Sequence, residues 1–175
     1  MDNQMSDLKN ALATKTKSGL IAFLQANPAC FDELLQLALS DDQDYAGRAT
    51  WSITLIMQQN DVRLRNHVTE MVRILPHCED GHKRLLLMVL RNMEIPESCE
   101  GELFNICVNI WETTSLAPAL RACAFQNILR IARKYPELKN EIQFLTEEIY
   151  LETLTKGVRH SIKLMLKKDV SSIGK

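Results

Sequence analysis

With 46% hydrophobic and 25% charged residues, the chain of 175 residues is too apolar to be disordered and long enough to bury a core. Its net charge of −1 disfavours a dedicated nucleic-acid-binding protein, because such proteins usually carry a basic excess. The five cysteines include no Cys-x-x-Cys pair, and no signal-peptide pattern precedes them, so we expect reduced thiols in a cytoplasmic protein.

The first elements predicted along the chain are two short helices over residues 6–26. Asn27-Pro28 ends the pair, because the residue before a proline disfavours the α region whereas proline suits a first helical position. The apolar stripes of the two helices are formed by Leu8, Leu12, Leu20, Ile21, Phe23 and Leu24.

Four further helix pairs are predicted after this first pair, and an arginine opens the second helix of each. The four arginines lie 36, 37 and 38 positions apart, at Arg48, Arg84, Arg121 and Arg159. A fixed period in this range, with one helix in register each time, indicates an array of stacked repeats. The predicted repeats cover about residues 28–59, 61–93, 97–134 and 136–168.

The apolar pattern predicts one all-α domain over residues 1–175, an α-solenoid. An apolar column lies three residues after each arginine, at Trp51, Leu87, Ala124 and Ile162, and we expect it to face the core between repeats. In the last repeat a single stripe runs through Leu138, Ile142, Leu145 and Ile149. No stretch alternates with a period of two, and no apolar run has the length of a membrane span.

The start of the helix at Pro118-Ala-Leu-Arg121, followed by small residues, resembles the second helix of a HEAT repeat. Asp44-Tyr-Ala-Gly-Arg48 and Gly157-Val-Arg159 resemble it more distantly, and Arg84 departs from it because Lys83 replaces the hydrophobic residue. The resemblance covers residues 28–168. It implies a right-handed solenoid of the HEAT/armadillo-like superfamily, with about four hairpins behind the N-terminal helix pair and a role in binding other macromolecules.

The arginine series has two interpretations. Asp44 and Asp80 precede Arg48 and Arg84 by four residues, the helical spacing at which opposite charges meet. One interpretation is that the arginines form a line that binds anions. In folds of the HEAT type, however, such a series usually ties one turn to the next, and we interpret it as a structural ladder.

A cluster of histidine and cysteine contains three potential metal ligands. His77, Cys78 and His82 lie close in sequence, with Cys99 further along, whereas structural zinc requires four ligands, typically in close pairs. We predict neither a metal nor a cofactor.

Positive charge accumulates in residues 121–175, where eleven basic and six acidic residues give a net charge of +5. Two basic clusters should lie side by side on neighbouring repeats and form one surface for a partner protein with an acidic surface. The alternative is a face that only keeps the protein in solution. The residues concerned are Arg130, Arg133, Lys134, Lys163, Lys167 and Lys168.

The sequence contains no nucleophile elbow, phosphate-binding glycine loop or His-Glu-x-x-His run, so no catalytic residue is predicted. The predicted function is a non-catalytic intracellular scaffold that binds protein. The alternative is a HEAT-like DNA-binding protein or alkylation-repair glycosylase, although nucleic acid is disfavoured by the charge. Its DNA-binding surface would draw on Trp51, Trp111, Arg48, Arg84, Arg130 and Arg133.

Overall fold

A computed structural model describes the backbone of residues 6–173 and the side chains of residues 6–167. Within residues 6–173 it contains eleven α-helices, four short 3-10 helices and no strand, which confirms the predicted all-α fold. The helices form two compact units, which divide between Glu94 and Ile95, where the second predicted repeat gives way to the third. A single domain over residues 1–175 stays a prediction.

The described part of unit 1 contains six α-helices. They are α1 (Asp7–Thr14), α2 (Lys17–Ala26), α3 (Phe31–Ala38), α4 (Ala46–Ile56), α5 (Val68–Ile74) and α6 (Asp80–Arg91). Short 3-10 turns lie at Pro28–Cys30, Arg65–His67 and Leu75–His77. Helix α4 occupies the centre of the unit, because it packs on α2, α3 and α6.

The first two helices begin where a hydroxyl side chain caps them. The Ser6 hydroxyl accepts a hydrogen bond from the Lys9 N–H at 3.1 Å, and the Thr16 hydroxyl accepts one from Gly19 at 3.4 Å. Each cap satisfies a backbone N–H that the first helical turn leaves without an internal acceptor. The predicted helix pair over residues 6–26 is therefore fixed by local chemistry at both starts.

The loop between α4 and α5 is held by two polar side chains. Asn60 adopts a left-handed backbone with φ of 49°, and its side-chain amide donates to Glu94 at 2.9 Å, beyond the end of α6. The Asp61 carboxylate is buried and receives both the Nε and a terminal nitrogen of Arg63, at 2.9 and 2.6 Å. The Arg63 guanidinium also lies 3.9 Å from the centre of the Phe31 ring, so this loop is tied to α3.

The described part of unit 2 contains five α-helices. They are α7 (Glu97–Glu112), α8 (Pro118–Ala132), α9 (Lys139–Phe144), α10 (Glu148–Leu151) and α11 (Lys156–Ile173), with a 3-10 turn at Pro136–Leu138. Helices α7 and α8 pack along each other, and α8 also packs on α9 and α11. The rings of Trp111 on α7 and Phe125 on α8 are buried, and their centroids are 4.3 Å apart.

The continuous stripe predicted from Leu138 to Ile149 is wrong, because the chain breaks between α9 and α10. The Leu145 carbonyl accepts a hydrogen bond from the indole nitrogen of Trp111 at 2.7 Å. In a continuous helix this carbonyl would accept the N–H four residues later. The break therefore gives the buried indole an acceptor, and it leaves Ile149 exposed.

Three of the four residues in the predicted apolar column lie in a core. Leu87, Ala124 and Ile162 are fully buried. Trp51 is half-buried, and its ring lies 4.3 Å from the guanidinium carbon of Arg48. An indole can cover a guanidinium while one edge meets water, which accounts for the exception.

Candidate functional site

The first arginine of the series binds backbone carbonyls of another helix. Arg48 donates from Nε to the Leu12 carbonyl at 3.1 Å and from a terminal nitrogen to the Lys15 carbonyl at 2.8 Å. Both acceptors lie at the C-terminal end of α1, where carbonyl groups lack partners within the helix. Arg48 therefore satisfies this helix end and joins α4 to α1.

Arg121 does the same in unit 2 and is fully buried. It donates to the Trp111 carbonyl at 2.8 Å, the Tyr150 carbonyl at 2.9 Å and the Thr153 hydroxyl at 2.7 Å. Burial lowers the pKa of Arg121 from its ordinary value. The carbonyls belong to the last turns of α7 and α10, whose negative dipole ends stabilise the cation. One guanidinium thus joins two helix ends.

The other two arginines differ from each other. Arg159 donates to the Leu151 carbonyl at 2.9 Å and pairs with Glu148 at 2.9 Å, so it also satisfies a helix end. Arg84 contacts the Met88 sulfur at 3.6 Å, and among residues 6–167 no side-chain or backbone oxygen is recorded as its acceptor. The Asp80 carboxylate, expected at Arg84, lies 3.8 Å from Lys83. Arg84 therefore stands apart from the predicted ladder.

The structure brings His77, Cys78, His82 and Arg84 to one cleft of unit 1, with a volume of about 650 Å³. Burial raises the pKa of Cys78, which favours the thiol over the metal-binding thiolate. Nε2 of His82 lies 2.9 Å from the Thr50 hydroxyl. Within the described residues, no group of three histidine, cysteine, aspartate or glutamate side chains is arranged to hold a metal ion.

Two of the residues predicted for the basic surface instead face a buried carboxylate. Glu100, in the first turns of α7, is only 3% exposed. It accepts a hydrogen bond from the ammonium group of Lys134 and another from the Tyr135 hydroxyl at 2.5 Å. The positive charge of Arg130 also stabilises the Glu100 carboxylate and lowers its pKa. Lys134 and Arg130 therefore serve the packing of α8 on α7.

The pKa values around Glu100 follow from these contacts. Burial would raise the pKa of Glu100, but the hydrogen bonds from Lys134 and Tyr135 outweigh it and hold the pKa below its ordinary value. The same carboxylate raises the pKa of Tyr135 to about 12. Sequence analysis missed this network, although Glu100 shares a helical stripe with Leu103 and Cys107, and a charge on an apolar stripe indicates a buried ion pair.

The remaining basic residues are exposed. Arg133 lies just after α8, and Lys163 and Lys167 lie on α11, which packs on α8. The side chain of Lys168 lies outside the described residues. The side chain of Lys134 is 56% exposed as well. The merged basic surface stays a prediction for all six residues, Arg130, Arg133, Lys134, Lys163, Lys167 and Lys168.

Unit 2 also exposes apolar side chains that sequence analysis placed on a buried stripe or did not single out. Phe144 and Ile149 are 49% and 60% exposed. The Phe144 ring meets the Tyr150 ring edge-on, with centroids 6.0 Å apart. We call Phe144, Ile149 and Tyr150 the aromatic patch. Its exposure follows from the break between α9 and α10.

Comparison of the chain with protein families gives a match to the HEAT repeat domain over residues 5–169. The chain belongs to the HEAT repeat family. No curated protein and no solved structure matches it. The match confirms the resemblance found at Pro118–Arg121, and because it begins before residue 28, it includes the N-terminal helix pair in the HEAT repeat domain.

The arginines of the series all lie within the HEAT repeat domain. Arg48, Arg121 and Arg159 hold helix ends of this HEAT repeat domain, and Arg84 does not. Between residues 6 and 173, no helix is both long enough and apolar enough to cross a membrane. The aromatic patch, the exposed cations and the cleft are the remaining candidates for a functional surface.

Proposed function

We propose that this HEAT repeat chain is a non-catalytic scaffold that binds another protein. HEAT repeats commonly mediate protein binding. The observation that carries the proposal is the exposure of Phe144 and Ile149 within the aromatic patch. Grouped apolar side chains on a surface are typical of protein interaction sites, because a partner removes them from water.

The chemistry proposed for the partner is an acidic segment that also carries apolar side chains. Arg133, Lys163 and Lys167 are exposed cations on helices or turns of unit 2. Opposite charge on a partner would accelerate association, and the attraction would weaken as salt screens it. The apolar side chains of the partner would bind the aromatic patch.

The experiment begins with capture of a partner from lysate of the source cells, followed by identification by mass spectrometry. The dissociation constant for the captured protein is then measured for the wild type and for two double variants, Phe144→Ser with Ile149→Ser and Arg133→Glu with Lys167→Glu. We expect both variants to bind more weakly, and the charge variant to lose most of the salt dependence.

The matched control reverses two exposed cations of unit 1, Lys17→Glu with Arg65→Glu. It changes the net charge by the same amount and should leave affinity within about twofold of the wild type. If both charge variants weakened binding equally, the loss of affinity would come from the change in net charge and not from the exposed cations of unit 2. Unchanged affinity in the Phe144 and Ile149 variant would exclude the aromatic patch as the binding surface.

The DNA-binding alternative receives no support from the placement of its tryptophans. Trp111 is fully buried, and its indole nitrogen is bonded to the Leu145 carbonyl. Trp51 is covered by Arg48, which uses two of its donors for the Leu12 and Lys15 carbonyls. A filter-binding assay with duplex DNA tests this alternative directly, and retention that falls steeply with salt would revive it.

A further inference from the structure

The cleft of unit 1 lies between two turns of the chain. One wall is the connection from α3 to α4, with Asp41, and the first turn of α4, with Gly47. The other is the connection from α5 to α6, with Glu79, and the first turns of α6, with Gly81 and Arg84. At about 650 Å³ its volume lies within the range typical of ligand-binding clefts. A methyl group added at Gly47 or Gly81 would meet no atom within 4 Å, so the space beside both helix starts is open.

Arg84 lines this cleft and donates no hydrogen bond to an oxygen of residues 6–167. Arg48, Arg121 and Arg159 each donate to at least one backbone carbonyl. Arg84, at the corresponding position, donates a hydrogen bond only to the Met88 sulfur, at 3.6 Å, among the described side chains and backbone. Sulfur is a weak acceptor, and a guanidinium offers five N–H donors in a planar fork.

The turn before α6 bears on this difference. Arg121 and Arg159 each donate to a carbonyl at the end of the helix that precedes their own, and for Arg84 that helix is α5. The Cys78 sulfur donates to the Ile74 carbonyl at 3.4 Å, and the Cys78 backbone N–H donates to the Leu75 carbonyl at 3.4 Å. Two carbonyls at this helix end therefore have a donor in Cys78, and Arg84 donates to neither of them; its side chain lines the cleft.

The charges around Arg84 favour an anion rather than a cation. Arg84 is half-buried, whereas the two carboxylates of the cleft, Asp41 and Glu79, are exposed at its rim, where water and salt screen them. Arg84 forms no ion pair with any described residue from 6 to 167. His82 lines the cleft beside it, anchored by the contact with Thr50.

We propose that this cleft binds an oxyanion, a carboxylate or phosphate group of a ligand, through the guanidinium of Arg84. Two parallel N–H groups of a guanidinium match two oxygens of a carboxylate or a phosphate, which gives both affinity and orientation. The ligand is either an acidic side chain of a protein segment or a free phosphorylated molecule. The proposal concerns unit 1 and does not depend on protein binding by unit 2.

The test is a titration of the full chain, followed by backbone amide NMR, with two probes in low salt. One probe is inorganic phosphate and the other is an acetylated tetraglutamate peptide. We expect at least one probe to shift the amides of Gly47, Gly81 and His82. Arg84→Met should weaken its binding about tenfold or more, as for the loss of a charge-assisted hydrogen bond. The control Arg65→Met removes an exposed arginine outside the cleft and should leave the affinity unchanged.

A second variant keeps the test decisive if Arg84→Met does not fold. Gly81→Leu adds an apolar side chain at the mouth of the cleft and should also weaken binding; its first carbon would meet no atom of another element within 4 Å. Binding of tetraglutamate alone identifies a protein carboxylate as the ligand, and binding of phosphate alone identifies a phosphorylated ligand. The proposal is overturned if neither probe binds at millimolar concentration, if the shifts lie outside the cleft, or if folded variants bind like the wild type.

Discussion

Arg121 is a buried cation that has no carboxylate among its recorded hydrogen-bond partners in the described chain. Burying a charge without compensation is costly, so its three oxygen acceptors must supply the compensation. Two of them are carbonyls at helix C-termini, where the partial negative charge of the helix is concentrated. The Arg121 side chain thus donates hydrogen bonds to carbonyls at the ends of both α7 and α10.

Replacement of Arg121 by methionine should therefore destabilise the protein severely. Arg121→Met leaves the Trp111 and Tyr150 carbonyls without this donor in the core, and we expect a loss of roughly 3–5 kcal/mol in the free energy of unfolding. Urea unfolding followed by circular dichroism measures it. The matched control is Arg84→Met, which removes no hydrogen bond to oxygen and should cost less than about 1 kcal/mol. Equal losses would contradict the structural role of Arg121.

Asp61 gives the protein a stability that depends on pH. The hydrogen bond from Arg63 is the largest cause that lowers the pKa of Asp61 to about 2, against an ordinary value of 3.8. The folded state therefore favours the carboxylate. Its contribution is complete above about pH 4 and is lost as the pH falls towards 2.

Asp61→Asn should accordingly lose about 2 kcal/mol of unfolding free energy at pH 7, the equivalent of a shift of nearly two pKa units. The difference from the wild type should shrink as unfolding is measured at successively lower pH below about 4. Asp32→Asn, at an exposed position on α3, is the control and should have a small effect at every pH. A difference that stays constant down to pH 2 would show that the carboxylate charge is not responsible.

At the scale of single residues, sequence analysis predicted donors better than acceptors. The period of the arginines identified Arg48, Arg121 and Arg159 as equivalent, and each of them holds a helix end. The oxygens that bind them are mostly backbone carbonyls, which every residue has and no sequence pattern distinguishes. The departure of Arg84 had one visible sign, the replacement of the preceding hydrophobic residue by Lys83. The hydrogen bonds of Cys78 to the end of α5 depend on the geometry of the turn, which no sequence pattern shows.

At the scale of helices, apolar periodicity predicted where elements lie but not where tertiary contacts interrupt them. The pairs α1–α2 and α7–α8 were predicted to within a few residues, because their stripes and turn residues agree. The break after α9 could not be predicted, because it depends on the indole nitrogen of Trp111, which lies 34 residues earlier. The stripe through Leu145 and Ile149 was periodic, yet only Leu145 is buried.

The apolar column of the second helices gives a prediction for α6. Leu87 is fully buried, and Leu87→Ala should lower the unfolding free energy by roughly 2–5 kcal/mol through lost burial and the cavity left behind. Leu164→Ala, on α11 with 46% of the residue exposed, is a control of identical chemistry and should cost less than about 1 kcal/mol. Chemical denaturation of both variants measures the difference. Similar costs would show that Leu87 does not lie in a close-packed core.

At the scale of the whole chain, the positive charge of the C-terminal third lies on some helices and not on others. Residues 136–155, which contain α9 and α10, carry one basic and five acidic residues, whereas residues 156–168 carry five basic residues and no acidic one. The net charge of +5 over residues 121–175 therefore hides an acidic stretch beside the aromatic patch. Net charge by segment located the excess, but helix packing decides which charges lie close to one another.

The division into two compact units predicts which helices a core truncation destabilises. In repeat proteins each element is stabilised by its neighbours, so a core truncation acts first on the unit that contains it. Leu87 and Leu103 are both fully buried leucines, one in each unit. Leu87→Ala should accelerate amide hydrogen exchange in α3, α4 and α6 more than in α7 and α8, and Leu103→Ala should do the reverse. Hydrogen exchange of the full chain, followed by mass spectrometry of its peptides, measures both patterns in matched samples.

The reciprocal pattern is the informative result, because each variant serves as the control for the other. Uniform acceleration along the chain in both variants would mean that residues 6–173 unfold as one cooperative unit.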